Sequence, residues 1–187
     1  MLTPRLEAIA QLVLPGEVLA DIGTDHGYLP VALAASGKIP RAIAADVNAK
    51  PLEKAKNCIA EAGLSDKIET RLGSGLSVLA PREAATIVVA GMGGCLIKDL
   101  LAAEAAVARL AKRLILQPMN NGAVLRRFLE ENGYAIIDEV IAKEEPRVYE
   151  IIVASQGEMK ITDPLDYDIG FEARKRKHPL LLDLIEL

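Results

Sequence analysis

The chain contains no tryptophan, two phenylalanines and four tyrosines in 187 residues, which excludes an aromatic core. Hydrophobic residues still make up 51% of it. A core of Ala, Leu, Ile and Val is therefore large enough for the single domain that the length predicts, at about 150 residues per domain. The only two cysteines, Cys58 and Cys95, are far apart and match no metal-ligand spacing. Both read as small packing residues, with a reactive thiol as the other reading of Cys95, which follows a glycine turn. No metal site is expected. No uninterrupted apolar run approaches the ~20 residues of a membrane span. Met1-Leu2-Thr3-Pro4-Arg5 lacks the basic-then-apolar pattern of a signal peptide. A cytoplasmic protein with no membrane partner is expected. The formal net charge of −4 argues against wholesale coating of nucleic acid but leaves room for a local basic patch.

What is present is an alternation of short apolar runs with amphipathic stretches. Thr3-Pro4 reads as an N-cap and first helical position, and Leu6, Ile9, Ala10 and Val13 recur at helical spacing as far as Pro15-Gly16. Strands are predicted over Val18–Ile22, Ala42–Asp46, Ile68–Leu72, Thr86–Ala90 and Arg113–Leu116. Helices are predicted from about Tyr28 to Gly37, from about Ala49 to Gly63, and over the stretch carrying Leu125, Phe128 and Leu129 up to Gly133. The period then changes. Tyr134–Ala142 and Val148–Ala154 are β-rich and joined only by Lys143-Glu144-Glu145-Pro146, so they pair antiparallel, because a parallel crossover needs a dozen or more residues. The fold class is α/β, a mostly parallel sheet finished by one antiparallel hairpin. From Ser155 onward the pattern weakens to a basic cluster, Arg174-Lys175-Arg176-Lys177-His178, and an apolar helix-like run over Leu180–Ile185.

The densest chemistry follows the first strand. Asp21-Ile22-Gly23-Thr24-Asp25-His26-Gly27 is a glycine-punctuated turn leading into a helix, and Asp46 closes the second strand. The carboxylate follows the first glycine by about the ~20 residues seen in open α/β sheets that hold an adenosine-containing cofactor. Such sheets bind ligands beyond the carboxyl ends of their strands. Gly73-Ser74-Gly75, Gly91-Met92-Gly93-Gly94 and Gln117-Pro118-Met119-Asn120-Asn121 all fall at such ends. Asp25 occupies a position where a G-x-G-x-x-G dinucleotide turn needs glycine. Its carboxylate would meet a pyrophosphate, whereas a cationic cofactor tolerates it. Plainer readings stand beside these. Asp46 reads also as a solvated strand end, Asp25 as a helix cap, and His26 as a hydrogen-bond partner rather than an acid–base group. Tyr28 reads also as packing rather than a stacking surface, and Gly91-Met92-Gly93-Gly94 as a tight turn. Arg126-Arg127 and the Arg174–Lys177 cluster read as solvated faces ahead of phosphate contacts.

Four segments in order resemble one family: Ala20–Pro30, Ala90–Gly94, Leu114–Pro118 and the hairpin Tyr134–Val153. It is the bacterial tRNA (adenine-22-N1)-methyltransferase family (TrmK), a group of class I S-adenosylmethionine-dependent methyltransferases, and the resemblance covers nearly all of residues 1–170. It implies a Rossmann-like class I methyltransferase fold, with a seven-stranded sheet and helices on both faces. A methyltransferase domain would span 1–157, and 158–187 would begin a truncated helical extension. It further implies S-adenosyl-L-methionine as cofactor, S-adenosyl-L-homocysteine as product, tRNA as partner, a monomer or weak dimer, and methylation of N1 of adenine 22.

Carried over by position, Asp21, Gly23, Thr24 and Gly27 would line the methionine part of the cofactor, and Asp46 with Val47 its ribose. Gly73, Ser74 and Gly75 would border the adenine, with Ser74 where the family often has Asp. Gly91, Met92 and Gly93 would flank the reactive methyl. Arg5, Gln117, Pro118 and Asn120 would meet the substrate, and Asp25, His26 and Tyr28 would form the catalytic group between the pockets. Two other readings remain at this stage, a methyltransferase acting on another substrate and a non-catalytic S-adenosylmethionine-binding module. A nicotinamide dehydrogenase comes last, because its sheet usually closes with another crossover and because of Asp25.

Overall fold

The computed structural model describes residues 2–181. Helix α1 (Pro4–Leu12) starts where its cap predicts, with the Thr3 hydroxyl accepting from the Leu6 N–H and Pro4 in the first turn. The chain continues through β1 (Leu19–Ile22), α2 (Tyr28–Ala35), β2 (Ala42–Asp46), α3 (Ala49–Glu61) and β3 (Ile68–Leu72). After a single 3₁₀ turn over Gly75–Val78 come β4 (Thr86–Met92), α4 (Gly94–Ala103), α5 (Ala105–Leu110) and β5 (Arg113–Pro118). Next are α6 (Gly122–Glu131), β6 (Tyr134–Glu144), β7 (Arg147–Gln156) and the short helices α7 (Leu165–Ile169) and α8 (Phe171–Lys175).

The seven strands form one sheet in the order β3-β2-β1-β4-β5-β7-β6. Strands β1 to β5 are parallel, and β7 pairs antiparallel with both β5 and β6. This is the α/β sheet with a closing hairpin that the sequence predicts. Strand order reverses between β1 and β4, so a ligand crevice is expected at the carboxyl ends of those two strands. The pleat sends alternate residues to opposite layers. Leu19, Ala42, Ala44, Val88 and Ile115 pack with Ile9, Leu33 and Ile59 of α1, α2 and α3 and with Val13 just after α1. Ala20, Ile22, Ile87, Val89 and Leu116 pack with Ile97, Leu101, Leu125 and Leu129 of α4 and α6. Strands buried on both faces have no polar alternation, which is why β1, β2 and β4 are almost wholly apolar, broken only by Asp21, Asp46 and Thr86.

Several boundaries move. Strands β4 and β5 run to Met92 and Pro118, two residues beyond their predicted ends, because a bulge at Gly91 lets Met92 pair with Pro118. The hairpin strands are likewise longer, and their turn shrinks to Glu145-Pro146, a cis peptide. The reading of Arg126-Arg127 as a solvated pair is overturned for Arg126, which is 1% exposed. Its guanidinium meets Glu139 at 2.7 Å and Glu150 at 2.5 Å and donates to the Tyr167 carbonyl at 3.0 Å. Successive residues on a helix point about 100° apart, so one arginine enters the interior while Arg127 covers the Tyr167 ring at 4.0 Å. In the later basic cluster Arg174 pairs with Asp163 and Asp166, and Arg176 with Asp138 and Glu172.

Residues 161–172 are tied to α6 and β6. The Ile161 N–H and the Tyr167 hydroxyl both donate to Glu130, and the Glu172 N–H donates to Glu139 at 2.6 Å. The expected apolar run lies outside the described residues beyond Leu181. Among the described residues no helix is long and apolar enough to cross a membrane.

Candidate active site

The turn after β1 is built on left-handed backbone. Gly23, Asp25 and Gly27 have φ of 75°, 50° and 71°. Glycine adopts such angles freely, and Asp is among the few other residues that tolerate them. This explains why Asp25 can stand where a glycine is expected. The Gly23 and Thr24 N–H groups both donate to the Ala45 carbonyl at 2.8 and 2.9 Å, tying the turn to the end of β2. A Cβ on Gly23 would displace Cε of Met92, so the Met92 side chain packs directly on the turn.

Two cavities open at the carboxyl ends of the parallel strands and share Gly23, Ala90 and Gly91. The first, about 260 Å³, lies over β2 and β3. Asp46, Val47, Gly73, Ser74, Gly75 and Met92, all expected around a cofactor, are brought together in its lining. The Asp46 carboxylate is 8% exposed. It accepts from the Asn48 N–H at 2.8 Å and, more weakly, from the Asp25 N–H at 3.4 Å, which fixes its orientation. The remaining wall is apolar. Leu96 and Leu100 of α4 contribute to it, and sequence reasoning missed both along with Ile22, Ala45 and Asn48. The spacing of four between Leu96 and Leu100 was the available signal, since it puts both on one helix face.

The second cavity, about 250 Å³, lies over the β1 turn and reaches α1. Arg5, Asp21, Thr24, Asp25, His26 and Tyr28 line it, with Leu6 and Leu29 in addition, so residues expected around the cofactor and residues expected around the substrate share one cavity. Nδ1 of His26 lies 2.9 Å from the Asp25 carboxylate. The imidazole lies flat against Tyr28, the ring centroids 5.2 Å apart and the planes 12° from parallel. Tyr28 is 53% exposed, so packing does not account for it. Nor does Asp25 cap α2, whose N-cap is Gly27. Asp21 lies deeper, and its carboxylate accepts from the Thr24 hydroxyl at 2.7 Å. Burial pushes its pKa up to about 6, with a further upward push from the Asp46 charge and a partial offset from the Thr24 hydroxyl. The Arg5 guanidinium donates to Gln117 Oε1 at 2.9 Å and lies over the Tyr149 ring at 5.3 Å. Its Nε is buried with no hydrogen-bond partner.

Five predicted residues line neither cavity: Gly27, Gly93, Gln117, Pro118 and Asn120. Gly93 is the N-cap of α4. Gln117 is fully buried behind the wall. Among the described residues, no three His, Cys, Asp or Glu side chains are grouped to hold a metal ion.

A mostly buried carboxylate at the second strand's end, an apolar cleft beside it and a glycine neck into a second, polar pocket fit a nucleoside cofactor that hands on a small group. The fold and site define the class, a Rossmann-like methyltransferase domain. The methyltransferase domain family matches residues 2–152. The tRNA (adenine(22)-N(1))-methyltransferase of Bacillus subtilis is 40% identical over 157 residues. That match covers 84% of this chain and 66% of that protein. The crystal structure of the B. subtilis m1A22 tRNA methyltransferase TrmK superposes with a TM-score of 0.91 at 36% identity, over 98% of this chain and 80% of that one. A Streptococcus pneumoniae protein in complex with S-adenosyl-L-methionine superposes with a TM-score of 0.95 at 36% identity, over 100% of this chain and 87% of that one. The chain belongs to the TrmK family of methyltransferases.

Proposed function

We propose that this chain transfers a methyl group from S-adenosyl-L-methionine to N1 of adenine 22 in tRNA, in the cytoplasm. The observation that carries the proposal is the meeting of two cavities of different character at Gly23 and Gly91. Asp46 accepts the ribose hydroxyls, and Val47, Leu96 and Leu100 supply flat apolar walls for the adenine. Asp21 and Thr24 face the methionine end. S-adenosyl-L-methionine, when bound, supplies an electrophilic methyl that moves to adenine N1 as the carbon–sulfur bonding pair returns to sulfur.

Adenine N1 carries an in-plane lone pair, so the reaction needs alignment more than a base. Alignment of two reactants is worth about 7–11 kcal/mol. The exposed face of Tyr28, backed by His26, gives the incoming base a stacking surface. The carboxylate of Asp25 accepts a hydrogen bond from the exocyclic amine and stabilises the positive charge that the purine gains, while its contact to His26 fixes its direction. Arg5 supplies the cationic edge of the substrate pocket. N1 of a paired adenine is hidden, so the target enters unpaired or flipped out.

The test is incubation of the chain with methyl-labelled S-adenosyl-L-methionine and unmodified tRNA, followed by nucleoside analysis. Label is expected as 1-methyladenosine, and it disappears when adenine 22 is replaced by guanine. Label in another nucleoside, or label that survives the replacement, overturns the proposal.

A further inference from the structure

The bulge in β4 leaves a backbone donor without a ladder partner. The register passes from Ala90 paired with Gln117 directly to Met92 paired with Pro118, so Gly91 is skipped. Gly91 is also left-handed, φ 75°, and lines both cavities at their shared neck. Gly91 itself is exposed at the neck, yet its N–H finds an acceptor in a partly buried contact with the side chain of Gln117. Gln117 Oε1 accepts from the Gly91 N–H at 3.1 Å and from Nη1 of Arg5 at 2.9 Å. Its Nε2 donates to the Pro118 carbonyl at 2.7 Å and contacts Sδ of Met119 at 3.8 Å. Two donors on one side and a carbonyl on the other fix which end of the amide is oxygen. The side chain is 0% exposed, with both ends engaged, so it has nothing left to offer a substrate.

We propose that Gln117 is a positioning residue that holds the bulged Gly91 backbone at the neck between the cavities and aims Arg5 into the second one. One carbonyl oxygen thereby sets the relative placement of three elements. Those are the end of β4, which borders both cavities, the end of β5, which carries Gln117, and α1, which delivers Arg5. Bulges beside active sites re-aim the chain at the cost of broken pairing, and here a side chain from the neighbouring strand restores the missing bond. The role in turnover rests on the methyl-transfer reading above, whereas the hydrogen bond to Gly91 does not.

The test has two readouts on the full chain. In glycine-¹⁵N-labelled protein, Gly91 amide exchange is compared among the wild type, Gln117→Leu, Gln117→Asn and Gln117→Glu. Leu removes the acceptor, Asn withdraws it by one methylene, and Glu keeps it. Protection of Gly91 is expected to fall in the Leu and Asn variants and to persist in Glu. In the second readout, kcat for tRNA methylation is expected to fall about 100-fold in Leu and Asn, the size of effect a displacement of about 1 Å produces. In Glu the fall is smaller, about tenfold, because the Gly91 and Arg5 contacts persist while an oxygen replaces the donor to the Pro118 carbonyl. A purely structural role would lower the melting temperature and leave kcat unchanged well below it. Unchanged Gly91 protection in Leu and Asn overturns the proposal, as does a kcat in Glu no higher than in Leu and Asn. Failure of both Leu and Asn to fold also counts against it, since Gln117 is then a packing residue. A wild type that methylates no tRNA refutes the functional reading alone, because the exchange readout still decides the hydrogen bond.

Discussion

Replacing Asp21 by Asn tests how this site balances stability against binding. The carboxylate is 6% exposed and hydrogen-bonded to Thr24, and burial raises its pKa from 3.8 to about 6. A group whose folded pKa lies above its unfolded value holds its proton more tightly when folded. Its contribution is therefore favourable at low pH and is lost as pH rises from about 4 through about 6. The difference of about two units corresponds to about 3 kcal/mol of stability lost by pH 7. Asn keeps the acceptor for Thr24 and cannot ionise. Unfolding by urea should show Asp21→Asn more stable than the wild type at pH 7.5, by up to about 3 kcal/mol, and close to it at pH 4.

Binding should move the other way, because an ionised Asp21 faces the cationic part of the proposed cofactor. For the wild type, calorimetric affinity for S-adenosyl-L-methionine should weaken about tenfold between pH 7 and pH 5 as the carboxyl takes up its proton. The Asn variant should bind weakly at both pH values, with a flat profile. Equal stability of the two proteins across pH 4–7.5, or an unchanged pH dependence of binding in the variant, would refute the reasoning. Comparing the two proteins cancels the opposite slope of Glu83, whose pKa Arg71 holds down at about 2.

Three further outcomes are expected. Asp46→Ala removes the oriented carboxylate of the first cavity, and calorimetry should find S-adenosyl-L-homocysteine affinity reduced by about 10- to 100-fold, as for loss of a charge-assisted hydrogen bond or two. Gly23→Ala strains the backbone at φ 75° and displaces the flexible Met92 methyl, so cofactor affinity should fall about tenfold or more while circular dichroism still reports the α/β fold. Arg126→Ala leaves the buried Glu139 and the half-buried Glu150 without their cation and should cost about 3–5 kcal/mol in urea unfolding. It should also loosen the α7–α8 segment, read as faster amide exchange over residues 165–175.

The β1 turn was legible in the sequence because its constraints are local: glycines at 23 and 27 permit left-handed backbone, and Asp46 follows at the expected spacing. Asp25 was only half legible. Its residue type suits both a cap and a ligand group, and a left-handed φ of 50° with His26 alongside decides against the cap. Gln117 illustrates the opposite case. A polar residue after a predicted strand end looks like a ligand contact, but β5 runs on to Pro118, so the side chain falls inside the sheet. The bulge that requires it involves β4, to which nothing near 117 points. Helix α4 escaped notice because it starts on Gly93-Gly94 with no capping side chain, and its leucines went with it. Helices α7 and α8 have five residues each, too few to show a period.

The most direct test of the two-cavity account is a crystal structure of the chain with S-adenosyl-L-homocysteine bound. The account predicts the ribose hydroxyls on Asp46, the adenine against Leu96 and Leu100, and the sulfur at the Gly23–Gly91 neck, facing Asp25, His26 and Tyr28. A ligand lodged elsewhere, or one whose sulfur points away from the second cavity, would contradict it.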